Sequence, residues 1–235
     1  MTFSPIRSML LATALTVVAG GGAVAADAAH PTVVELFQSQ GCSSCPPANA
    51  NLMAIASRPD VLALSFGVTY WDQLGWKDTF AQDAFTARQW DYARGLRHPN
   101  VFTPQVVVNG RRDGVGANPS ELTALIAAGD RGTSGPSLTI ARSKIVLGAG
   151  RAPAGGADVW LVRFDPRIVQ VPVKRGENAG HTLPHRNVVR ELVRLGRWNG
   201  EATVLAAPPA RDPALSAAVL VQQSGGGPIL AAARA

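Results

Sequence analysis

Apolar and polar positions divide this chain into two textures. Up to about residue 130, short β-rich runs alternate with stretches of helical spacing. Residues 32–37 (TVVELF) form a β-rich run. Pro46 and Pro47 then open a helical stretch over 48–57, with Leu52, Ile55 and Ala56 on one face. Proline suits the first helical turn, where its missing N–H would be unpaired in any case. Residues 61–68 (VLALSFGV) are continuously apolar, as a parallel strand buried on both faces requires. An aromatic loop, 70–76, leads into a helix over 81–96, where Phe85, Trp90 and Leu96 are expected to pack and Arg88, Asp91 and Arg94 to face water. A strand follows at 105–108, then an Asn109-Gly110 turn, a partner strand at 112–116, and a helix that Asn118 caps and Gly129 stops.

The predicted order is β-α-β-α-β-β-α over 30–130, with a linker at 131–136. Beyond it, alternating short runs at 138–147, 159–164, 169–173, 187–195, 203–206 and 217–222 predict a β-rich, sandwich-like domain over 137–235. The run at 188–194 is ambiguous with a short helix, and its β-branched content favours a strand.

The N-terminus adds a compartment. Arg7, an apolar stretch over 9–18 and the small-x-small sequence Ala23-Val24-Ala25 read as a signal peptide, 1–25. The apolar stretch is too short to span a bilayer, so the expectation is a secreted or periplasmic protein with no stable membrane span after cleavage. The formal charge of +6 is spread without a basic stripe, which argues against nucleic-acid binding. Two cysteines rule out a disulfide-stapled miniprotein, so the core must come from apolar burial.

Those two cysteines carry the clearest chemistry. Cys42 and Cys45 stand two residues apart between the first strand and the first helix. A helix N-terminus stabilises a thiolate, so Cys42 is the candidate nucleophile and Cys45 the resolving thiol. The alternatives are a structural disulfide in a partner-binding module and a copper-handling pair of soft ligands. No second paired ligand motif accompanies the cysteines, so no metal site and no cofactor are assigned. In a β-α-β unit the loops after strands one and two share a sheet edge, and an antiparallel third strand starts there. That edge therefore gathers the cysteine loop, Tyr70, Trp71 and Asp72, and the Thr103-Pro104 pair. Tyr70, Trp71 and Trp76 supply apolar surface. Asp72 is a candidate for proton transfer, or a loop or cap residue. Asn178, His181, His185, Asn187 and Arg190 form a polar cluster near the second half that could cover the cysteines, bind a partner, or make loop hydrogen bonds.

The strings ELFQSQGCSSCPPAN, YWDQLGW and FTPQVVVNGRRDGVGA, with GENAG and HRNVVREL further on, resemble a family of secreted thioredoxin-like proteins of unassigned function, DUF1223. The resemblance covers nearly the whole chain after residue 25. It implies a thioredoxin-like first domain, in which the cysteine pair at a helix start is expected to perform thiol–disulfide exchange with a protein or a small thiol or disulfide. Pro104 matches the cis-proline of such proteins, where Thr103 would offer backbone to a substrate in a groove. Glu35 invites comparison with the buried acid that assists proton transfer in thioredoxins, but it lies seven residues before Cys42 rather than six. Gly41 stands where thioredoxins carry a tryptophan.

Overall fold

The computed structural model describes Met1 and residues 25–235, so the expected signal peptide falls almost wholly outside the described residues. The chain runs β1 (Thr32–Gln38), α1 (Cys45–Ile55), β2 (Val61–Gly67), a 3-10 helix (Thr69–Leu74), α2 (Asp83–Leu96), β3 (Gln105–Val108), β4 (Arg112–Gly114) and α3 (Pro119–Gly129). The predicted order holds, with small shifts at the ends. Asn118 caps α3 by accepting from the Ser120 N–H at 2.8 Å. Asn109 and Gly110 both take positive φ, as a tight hairpin turn requires. The Asn109 side chain is buried, accepts from Val33 N–H at 2.9 Å and donates to the Gly129 carbonyl at 3.0 Å.

The second half is entirely strand: β5 (Leu138–Ala141), β6 (Lys144–Leu147), β7 (Ala157–Asp165), β8 (Val169–Pro172), β9 (Thr182–His185), β10 (Val188–Trp198), β11 (Thr203–Ala206), β12 (Ser216–Gln223) and β13 (Ile229–Arg234). The single run expected over 138–147 is a hairpin, turned at Arg142 with φ +56°. The ambiguous 188–194 run is strand, and β9 and β13 were not anticipated.

The fold is mixed α/β around one eight-stranded sheet in the order β13-β12-β7-β10-β2-β1-β3-β4. β1 and β2 are parallel, and β3 is antiparallel to β1. β10 pairs with β2, so strands from both sides of 131–136 share this sheet. The outer edge of β2 would otherwise present a row of unpaired backbone groups. Asn187 makes the junction: its carbonyl accepts from Ser65 N–H at 3.0 Å and its side chain donates to the Ala63 carbonyl at 2.8 Å.

Three of the four apolar clusters among the described residues follow from strand alternation. Val34, Leu36, Val106 and Val108 pack against Ala48 and Leu52 of α1 and Leu122 of α3. Val33, Phe37, Leu64 and Phe66 face Phe85 and Tyr92 of α2. The third cluster lies where the three-stranded sheet β11-β6-β5 lays Ile145 and Leu147 on Val159, Leu161, Val219 and Val221, which gives the second half its two-sheet packing. The turn before β13 presses on α2, with Gly226 at φ +77° and the Asp91 backbone where a Cβ would stand. Among the described residues no helix is long and apolar enough to cross a membrane.

Helix α2 departs from expectation. Arg88 is buried and Trp90 is 37% exposed, the reverse of what the sequence pattern predicts. The reason is Glu35, which lies on the α2 face of β1 beside Val33 and Phe37. Its carboxylate needs a cation, and Arg88 supplies one.

Candidate functional site

β1 delivers the chain to the loop 39–44, and α1 begins at Cys45. Cys42 and Cys45 are joined in a disulfide with Cα atoms 5.4 Å apart. Loop hydrogen bonds set this geometry. Cys42 N–H donates to the Ser39 carbonyl at 3.1 Å and Cys45 N–H to the Cys42 carbonyl at 3.2 Å. Pro46 and Pro47 bring no N–H to the first helical turn, so the donors that usually meet an anion at a helix start are reduced here. The Ser44 hydroxyl lies 3.3 Å from Cys42 Sγ and is a side-chain donor in reach of that sulfur.

The expected convergence at the sheet edge is present. Pairing of Phe37 with Gln105 brings Thr103 and Pro104 to the end of β1, and the Thr103–Pro104 peptide is cis. Trp71 Nε1 donates to Thr103 Oγ1 at 2.7 Å, and the Trp71 Cβ packs beside Gly41. Trp76 Nε1 donates to Gln40 Oε1 at 2.9 Å. Burial pushes the Tyr70 phenol up.

Gln40 and Asp78 tie this loop to the segment before α2, and neither was a sequence candidate. Asp78 Oδ2 accepts from Gln40 N–H at 2.7 Å and Oδ1 from Phe80 N–H at 2.7 Å. Burial raises the Asp78 carboxyl, while these donors pull it back. Asp72 accepts from Asp78 N–H at 3.0 Å, so it acts as a loop cap. The proton-transfer expectation for Asp72 finds no contact with either sulfur.

Glu35 is a correction. Its carboxylate is fully buried on the α2 face, the side of the sheet away from α1, and takes Arg88 Nε at 2.7 Å and Nη2 at 3.2 Å. Tyr92 Oη donates to the same carboxylate. Burial works against the Arg88 charge, but Glu35 outweighs it and the guanidinium pKa rises. Glu35 is thus consumed by a buried pair, because a one-residue change of spacing reverses the face of a strand side chain.

The segment between β8 and β9 forms a strap over the cysteine loop. Asn178 Nδ2 donates to the carbonyls of Gln40 and Cys42, both at 2.9 Å. Glu177 Oε2 accepts from Ser43 N–H at 2.9 Å and Ser43 Oγ at 2.7 Å, and these bonds hold its carboxyl below the usual range. Of the polar cluster in the sequence, Asn178 therefore covers the cysteines, Asn187 joins the strands, and His181 is exposed. Cys42 is 0% exposed and Cys45 1%. An accessible Cys42, the natural expectation for a nucleophile, is not what this fold presents.

On the α1 side, Gln38 Nε2 donates to Asn49 Oδ1 at 2.9 Å and Ser65 Oγ at 2.7 Å, and lies 3.5 Å from His185 Nδ1. Asn49 in turn donates to the Pro184 carbonyl at 2.6 Å. His185 is buried, which lowers its pKa to about 4 and keeps the ring neutral, and Nε2 has no hydrogen-bond partner within the protein. Between α1 and β9 lies a cavity of about 220 Å³. Pro46, Ala50, Leu183 and Pro184 give it apolar walls, Gln38, Asn49 and His185 a polar side, and Cys45 borders it. Among the described residues no group of three or more His, Cys, Asp or Glu side chains is arranged to hold a metal ion.

The fold and site define a mixed α/β protein with a covered Cys-x-x-Cys disulfide at a sheet edge. The family described as "Protein of unknown function (DUF1223)" matches residues 33–222, and the chain belongs to it. Among solved structures, a crystal structure of a protein from Agrobacterium tumefaciens is 33% identical, with 89% of this chain and 94% of that one covered and a TM-score of 0.71. HBP35 of Porphyromonas gingivalis is 13% identical, with 88% of this chain and 74% of that one covered and a TM-score of 0.59, a likeness of fold alone. No curated protein matches the chain.

Proposed function

We propose that this is a secreted or periplasmic protein whose thioredoxin-like first domain, 30–130, performs thiol–disulfide exchange through Cys42 and Cys45, with a protein or small thiol or disulfide as partner. The β-rich remainder, 137–235, covers the site. The observation that carries the reading is the disulfide between β1 and α1, at the same sheet edge as Trp71, Thr103 and cis-Pro104. The order β-α-β-α-β-β-α supports the fold assignment. The three-residue separation supports the exchange chemistry, because so short a loop removes little chain entropy and makes a weak staple. A secretory signal fits the compartment in which such a disulfide persists.

The test is reduction of a model disulfide substrate by the purified protein in the presence of a small thiol. The wild type accelerates the reaction and the Cys42→Ser/Cys45→Ser double variant does not. Equal rates for the two proteins would reject exchange and leave a structural disulfide.

A further inference from the structure

We propose that a small thiol enters through the cavity between α1 and β9 and attacks the disulfide at Cys45, with Cys42 as the leaving thiolate. The inference rests on the exchange reading above and reverses the roles that the sequence pattern alone assigns.

Three observations carry it. Both cysteines are buried, at 0% and 1% exposed, but the strap covers Cys42: its carbonyl is held by Asn178, and neighbouring Ser43 is held by Glu177. The Cys45 side is bordered by the cavity, and Cys42 is not among the residues that wall it. A leaving group at Cys42 also has a donor ready, since the Ser44 hydroxyl lies 3.3 Å from its sulfur. A thiolate leaves more readily when hydrogen bonding stabilises it.

The cavity also restricts the ligand. Its volume of about 220 Å³ falls below the roughly 300–1,000 Å³ typical of drug-sized sites. Its walls carry no Lys, Arg, Asp or Glu, and its one titratable ring, His185, is neutral. A small thiol whose body bears no charge suits it; a charged one would give up hydration without gaining a counter-ion.

The chemistry balances with two equivalents of thiol. The first, RSH, gives its proton to solvent. RS⁻ then forms a bond to Cys45 Sγ while the Cys42–Cys45 bond breaks, and the electron pair leaves on Cys42 Sγ. A second RS⁻ attacks the RS sulfur of the mixed disulfide, which forms RSSR and releases Cys45 as thiolate. Both cysteine thiolates take protons from solvent. The protein disulfide is reduced and two thiols are oxidised to one disulfide.

Two measurements on the folded full chain test this. Single-thiol variants Cys42→Ser and Cys45→Ser are each reacted with hydroxyethyl disulfide, and the adducts are timed by mass spectrometry. The thiol of Cys45 is expected to react about tenfold faster or more. Ala50→Trp, at an exposed position on the cavity wall, is expected to slow reduction of the wild-type disulfide by 2-mercaptoethanol by a similar factor, about tenfold, and to matter less for mercaptoacetate. Faster reaction at Cys42, or no effect of a folded Ala50→Trp, overturns the direction of attack and leaves exchange standing. If the wild-type disulfide reacts only after denaturation, exchange itself fails. Should Ala50→Trp not fold, the single-thiol comparison decides.

Discussion

Replacing Arg88 by alanine isolates the charge pair on which helix α2 is built. Arg88 and Glu35 side chains are 4% and 0% exposed, with two nitrogens on the two carboxylate oxygens at 2.7 and 3.2 Å. The guanidinium also lies 5.0 Å from the centre of the Tyr92 ring and 5.6 Å from that of Trp160, which couples α2 to β7. Truncation strands a carboxylate in the core with the Tyr92 hydroxyl as its remaining donor. Breaking a buried pair in this way costs about 3–5 kcal/mol. In a chain of this size each kcal/mol moves the melting midpoint by about 2–4 °C, so Arg88→Ala should melt about 6–20 °C lower. Thermal unfolding followed by circular dichroism reads this directly. The triple variant Glu35→Leu/Arg88→Met/Tyr92→Phe removes every member of the network together and should recover at least half of the loss, since an apolar replacement of similar volume needs no solvation. A midpoint within about 2 °C of wild type for Arg88→Ala would refute the pair as a buried structural element. The triple variant also tests the placement of Glu35. Its carboxylate faces away from α1, so reduction of the disulfide by dithiothreitol at 25 °C should stay within about twofold of wild type, and a tenfold change would return Glu35 to the proton path.

Other outcomes follow from the same geometry. His185 binds its proton in the folded state only near pH 4, against 6.5 in the open chain. The unfolded state therefore takes up the extra proton between those values, so stability is full above about pH 6.5 and falls toward pH 4, by about 3 kcal/mol from this group. Urea unfolding across that range should show the loss, and His185→Phe should flatten it; an identical slope would exclude His185 as its source. Asn178→Ala removes the donor to two loop carbonyls, costs about 2–3 kcal/mol, and lets iodoacetamide label Cys42 after reduction. Unchanged labelling would show that the strap does not close that side. Gly226→Ala forces a Cβ against the Asp91 backbone at positive φ and should cost about 2–3 kcal/mol in urea unfolding; a neutral result would mean that the β12–β13 turn does not bear on α2.

The local elements were largely legible along the chain, because they answer to local rules. The prolines at 46 and 47 open α1, Asn118 caps α3, Asn109 and Gly110 turn the β3–β4 hairpin, and apolar runs mark β1 and β2. The cysteine spacing and the shared edge with Thr103, Pro104 and Trp71 were legible too, since parallel strands place their following loops together. The burial of Arg88 was not, because helical spacing describes one helix and says nothing of a carboxylate on a strand 53 residues away. The strap was legible only as one of several readings of the Asn178 cluster, because its contact with Cys42 spans 136 residues. The residues by themselves determined where a disulfide could form. Tertiary packing decided which of the two cysteines borders a cavity, because access to a buried bond depends on what distant segments lie over it.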